Sequence, residues 1–100
     1  MGKTLLAAVI MMLAGPVAAS EAHQFCAMSW ASAPAQFERC VNQQIRGAQS
    51  VTRYLDWAKA TDGPDSMHVI RTFELCRRRW SPDYGRIDNC LRARAGIAPP

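Results

Sequence analysis

The chain has 100 residues, with 12 Lys plus Arg against 8 Asp plus Glu and a formal net charge of +4. That length excludes more than one domain, and a charge excess this modest points first to a solvated face and only second to an anionic partner. The charge is also uneven: residues 71–100 hold seven arginines and three acids, whereas residues 20–70 hold four bases and five acids.

The first fifth reads as an export signal. Lys3 supplies a positive start, Leu5 through Ala14 form an uncharged apolar run, and Pro16 breaks it. Val17, Ala18 and Ala19 then offer the small residues a signal peptidase requires. Cleavage is expected after Ala19, with Ala22 as the second choice. The apolar run falls short of the roughly 20 residues that cross a bilayer, so a cleaved signal over 1–19 is preferred to an anchor. The mature domain would then be residues 20–100, exported to the periplasm or secreted.

All four cysteines, Cys26, Cys40, Cys76 and Cys90, fall in that mature part. An even count in a short exported chain reads as a disulfide framework, and a domain of this size needs one because its apolar core is small. The cysteines form two Cys-x13-Cys pairs offset by fifty residues, and Trp30 and Trp80 each follow the first cysteine of a pair by four. Phe37 and Ile87, and Val41 and Leu91, also match at that offset. Residues 23–47 and 73–97 therefore read as two copies of one unit.

In chain order, a short helix is expected around 21–32, ended by Ser32, Ala33 and Pro34. A long helix follows over about 35–60, because Phe37, Val41, Ile45, Ala48, Val51, Leu55 and Ala58 recur in steps of four and three. Thr61 through Asp65 break it. Met67, Ile70, Phe73, Cys76 and Trp80 mark the buried face of a third helix, and Tyr84, Ile87, Leu91, Ala95 and Ala98 that of a fourth. Ser81 is expected to cap the fourth helix with Pro82 in its first position. The fold class is all-α, with about four helices in two disulfide-linked hairpins joined through one long helix.

A continuous helix would hold cysteines fourteen apart at about 21 Å, beyond disulfide reach. The chain must fold back between them if they pair. Of the three pairings four cysteines allow, Cys26 with Cys40 and Cys76 with Cys90 is expected, since each copy contains its own turn. Each tryptophan, one helical turn beyond its cysteine, is expected to pack over its own bridge.

The second copy, with Cys76, Trp80, Asp83, Tyr84, Ile87, Cys90 and Leu91, resembles a repeat in small exported bacterial proteins. That repeat reads Cys, three residues, Trp, two residues, Asp, an aromatic, then an aliphatic residue or Met before a second Cys. The resemblance implies helical hairpins and export, and no particular activity. The first copy departs from it, with Ala33 and Pro34 where Asp and the aromatic stand.

Chemistry is sparse. No Cys-x2-Cys is present, His23 and His68 stand apart without metal-ligand spacing, and Met28 and Met67 read as gap-filling residues. Asp62 and Asp65 flank Gly63 and Pro64 as turn residues. No nucleophile motif or phosphate loop occurs, so no cofactor, metal or catalytic residue is expected.

Arg77, Arg78 and Arg79 form the conspicuous charge run. They read first as cations complementing the end of a helix, with Glu74 pairing Arg78. They read second as part of a basic surface with Arg71, Arg86, Arg92 and Arg94, in which Arg77, Arg78, Arg79, Arg92 and Arg94 would contact an anion. The expected function is thus an exported non-catalytic module binding a protein partner in the cell envelope. A cationic binder of lipid headgroups or lipopolysaccharide is the alternative, and a small enzyme inhibitor the third reading. Nucleic acid is disfavoured, since Tyr84 alone is placed to stack on bases.

Overall fold

The computed structural model describes residues 20–99, and the expected signal peptide over 1–19 lies outside them. Among the described residues there are four helices and no strand: α1 (20–30), α2 (Pro34–Ala60), α3 (Pro64–Trp80) and α4 (Tyr84–Ala95). The breaks fall where the turn residues stand, at 31–33, 61–63 and 81–83. Both expected bridges form, Cys26 to Cys40 and Cys76 to Cys90, each with Cα atoms 5.8 Å apart. No helix among the described residues is long and apolar enough to cross a membrane. Two compact units divide at Val41 and Asn42, inside α2.

In the first unit, α1 and the start of α2 are joined by a tight turn. The Ala33 amide donates to the Trp30 carbonyl at 3.0 Å, and Phe37 N–H donates to Ala33 O at 2.9 Å. Ala22, Cys26 and Val41 are buried, and the His23 and Phe37 rings meet at 5.6 Å between centroids. Trp30 is 41% exposed and Met28 is 77% exposed. At the fifty-residue offset, Ser29 and Gln36 stand where the second hairpin has Arg79 and Arg86, and neither can lie as a cation on an indole.

The second unit holds the rest of α2 with α3 and α4. Its core is a cluster of Val51, Tyr54, Ala58, Val69, Cys76, Ile87, Leu91 and Ala95. The buried line of α2 runs through Gln44, Gly47, Val51, Tyr54 and Ala58. Val51 and Ala58 belong to the expected stripe, while Ile45, Ala48 and Leu55 are only half-buried and Gln44, Gly47 and Tyr54, each one residue earlier, take their places. α3 is turned in the same sense: Ser66, Val69, Thr72 and Cys76 are buried, whereas Met67, expected inside, is 48% exposed. Small and polar residues take the inward positions here because close helix approach favours them, a preference that apolar periodicity does not register.

The turn into α4 is held from α2. Its amide at Asp83 donates to Trp80 O at 2.8 Å and Ile87 N–H donates to Asp83 O at 2.9 Å, the same pattern as at 30–37. The cap is Asp83 and not Ser81: its carboxylate accepts from Arg86 N at 3.2 Å, while Ser81 N–H donates back to Arg77 O and ends α3. Gln44 completes the junction. Its amide nitrogen donates to Asp83 Oδ1 at 2.8 Å, and its Oε1 accepts from Tyr84 N–H at 2.7 Å. α4 ends at Ala95, before the expected Ala98, because Gly96 adopts a left-handed φ of 67°.

Gln44→Ala should therefore destabilise the protein by about 2 kcal/mol, since it removes two side-chain hydrogen bonds across a part-buried junction. A urea titration reads this directly. A midpoint equal to wild type would mean that the amide bridges contribute nothing net.

Candidate functional site

Residues at the α3–α4 hairpin carry most of the chain's positive charge, and the geometry sorts them. Side chains on a helix lean toward its N-terminus, and α3 and α4 fold back on each other through residues 81–83. Arg78 and Arg79 thus lean toward Leu75 and Cys76, and Arg94 leans toward Cys90. Leu75, Arg78, Arg79, Cys90 and Arg94 line one hollow of about 300 Å³. An adjoining hollow of about 370 Å³ is lined by Arg79, Trp80, Arg86, Asn89, Cys90, Ala93 and Arg94. The shared Cys90 places the disulfide between the two, so a covalent cross-link fixes the spacing of the arginines on either helix.

Trp80 is the apolar wall of the larger hollow. The Arg86 guanidinium lies 4.7 Å from its ring centroid and that of Arg79 5.3 Å, which holds both cations in defined positions. Arg86 is also tethered to Asp83, Nε to Oδ2 at 3.5 Å.

Of the five arginines expected to meet an anion, the structure brings Arg78, Arg79 and Arg94 together. Arg77 and Arg92 are engaged elsewhere. Arg77 donates to Glu74 Oε2 at 2.7 Å, in place of the expected Glu74–Arg78 pair; positions three and four apart on a helix are both within reach of one carboxylate. The hydrogen bond from Arg77 holds the Glu74 carboxyl below the usual range, with the charges of Arg77 and Arg78 adding to it and partial desolvation opposing. Since the folded pKa is depressed, this contact is present above the ordinary carboxylate pKa and is lost as pH falls through the lowered value. Arg92 donates to Asp88 Oδ2 at 2.7 Å, and Asp88 Oδ1 is buried with no hydrogen-bond partner among the described residues. Arg78, Arg79 and Arg94 have no ion pair among the described residues.

Arg86 joins the site although its sequence position marked it only as part of a general basic surface; the usable signal was its place six residues after Trp80. No group of three or more metal-ligating side chains occurs among the described residues. Compared with protein-family models, curated proteins and solved structures, the chain matches none of them.

Proposed function

We propose that this chain is an exported, non-catalytic binding module whose working surface is the arginine-lined groove of the α3–α4 hairpin, and that its partner presents anionic groups there. The observation that carries this reading is the convergence of Arg78, Arg79 and Arg94 beside Cys90 of the bridge, none of them in an ion pair among the described residues. Like charges gathered at a rigid place repel one another, and an anion between them offsets that repulsion. The bridge and the Trp80 stack preorganise the guanidinium groups, which lowers the entropy cost of binding. Export is supported by the signal-like residues 1–19 and by the pairing of every cysteine in a bridge. The two hairpins, with matched turns, are read as copies of one unit, of which only the second carries the cationic groove. A helical protein partner is the second reading, and the exposure of Trp30 and Met28 on α1 favours it.

The test is binding of the exported form to a polyanion across a salt series. Affinity should fall with added salt, as charge screening requires. Changing Arg78, Arg79 and Arg94 together to Gln should remove about 3 kcal/mol, near 1 kcal/mol for each surface arginine. Changing Arg77 and Arg92 to Gln should matter much less, because each already serves a carboxylate. Equal losses from the two sets would reject the groove as the site. Glu74→Gln should raise affinity, since it releases Arg77 from its partner; unchanged affinity would place Arg77 outside the field of the groove.

A further inference from the structure

We propose that one side of α3 docks on an anionic lipid surface, with phosphate headgroups held by Arg71, Arg78 and Arg94 and with Met67 and Leu75 seated among the headgroups; this rests on the anion-binding reading of the groove. Met67, Arg71, Leu75 and Arg78 follow one another in steps of four, four and three, which is a single line along a helix. At 1.5 Å per residue the line is about 16 Å long. All four are exposed, and Met67 and Leu75, at 48% and 57%, are the exposed large hydrophobics of the second unit.

That coincidence is the point. Apolar side chains left in water could have been scattered over three helices, yet both lie on the line that carries the arginines. An acidic polypeptide would have to bring its own apolar side chains into register with Met67 and Leu75, whereas a fluid lipid surface needs no such register. A phospholipid presents both parts in the right order, an anionic phosphate at the surface and hydrocarbon just beneath it. The hollow beside the bridge repeats the pairing on a smaller scale, with Leu75 beside Arg78, Arg79 and Arg94.

Residue choice points the same way. Residues 61–100 contain arginine and no lysine, and the planar guanidinium fork matches phosphate oxygens with two parallel hydrogen bonds. The nearest acid on this side of α3 is Glu74, and Arg77 neutralises it at 2.7 Å. The acid on this face is therefore paired, which reduces its repulsion of a negative surface.

The experiment is co-sedimentation of the full exported chain with vesicles of phosphatidylglycerol and phosphatidylethanolamine, beside vesicles of phosphatidylcholine alone and soluble poly-glutamate. Binding is expected to the anionic vesicles and not to the neutral ones. Arg78→Gln with Arg94→Gln should weaken it by about thirtyfold. Met67→Gln with Leu75→Gln should weaken it by about tenfold while leaving the helical spectrum and the affinity for poly-glutamate unchanged. Because Met67 and Leu75 are exposed, that variant keeps its fold, and the spectrum verifies it. If the wild type ignores anionic vesicles at low salt, the lipid assignment is overturned. It is equally overturned if the Met67 and Leu75 changes are silent on vesicles while the arginine changes are not; in that case the anion groove stands and the partner is an acidic protein. If the arginine changes alter binding to neither polyanion nor vesicle, the groove itself fails.

Discussion

Reducing the protein unfolds it at temperatures where the oxidised form keeps its helical signal. Both bridges join cysteines at a sequence separation of 14, and closing a loop of that size contributes about 3 kcal/mol by constraining the unfolded chain. Two such contributions are comparable with the roughly 5 kcal/mol of net stability available to so small a domain. Burial adds to the effect. The largest fully buried side chains are Ile87, Leu91, Val69, Cys26 and Cys76, so two of five are half-cystines and the sulfur itself is core. Because the two loops are equal in length, chain entropy predicts equal losses for Cys26→Ala with Cys40→Ala and for Cys76→Ala with Cys90→Ala. Packing breaks the tie: Cys76 belongs to the cluster of Val69, Ile87 and Leu91, so the second double variant should melt lower. Thermal melts followed at 222 nm, with and without reductant and for each double variant, measure all of this. Melting that ignores the reductant would sink the account.

Replacing Gly47 should destabilise the protein even though Gly→Ala within a helix favours folding by about 1 kcal/mol through propensity alone. A Cβ at position 47 would stand 2.5 Å from the Tyr84 carbonyl oxygen, 2.7 Å from its carbon and 2.9 Å from the Gly85 nitrogen. All three atoms are backbone, so no rotamer change relieves the clash, and the first turn of α4 has to move off α2 as a body. That movement also stretches the hydrogen bond that Gln44 donates to Asp83 and the one it accepts from the Tyr84 amide. Overpacking of this kind costs about 1–3 kcal/mol, with Gly47→Ala toward the upper end and Gly47→Leu beyond it. Urea titration beside the exposed helical control Gln49→Ala decides the sign. If Gly47→Ala matches or exceeds wild type, α2 and α4 are not held at this separation by their backbones.

Much of the architecture follows from local chemistry and could be read without coordinates. The steps of four and three from Phe37 to Ala58, the turn residues near 33, 63 and 83, and two cysteines too far apart on one helix determine helices, breaks and bridges, because each depends on residues near one another in the chain. The arginine run was legible for the same reason. What the tertiary structure decided depends on partners far along the sequence. Ser81 and Asp83 are both good caps on local grounds, and Asp83 prevails with Gln44, 39 residues away, donating to it. Periodicity places Met67 inside, yet the approach of α3 to its neighbours turns Ser66, Val69 and Thr72 inward instead. Trp30 and Trp80 occupy equivalent sequence positions, and among the described residues only Trp80 has guanidinium groups folded against it. The same holds for the candidate site. Five arginines were chosen by charge, and Glu74 and Asp88 withdraw two of them while the bridge gathers the rest. Composition shows that a charge is present; the neutralising partner and the direction of the side chain are set by packing.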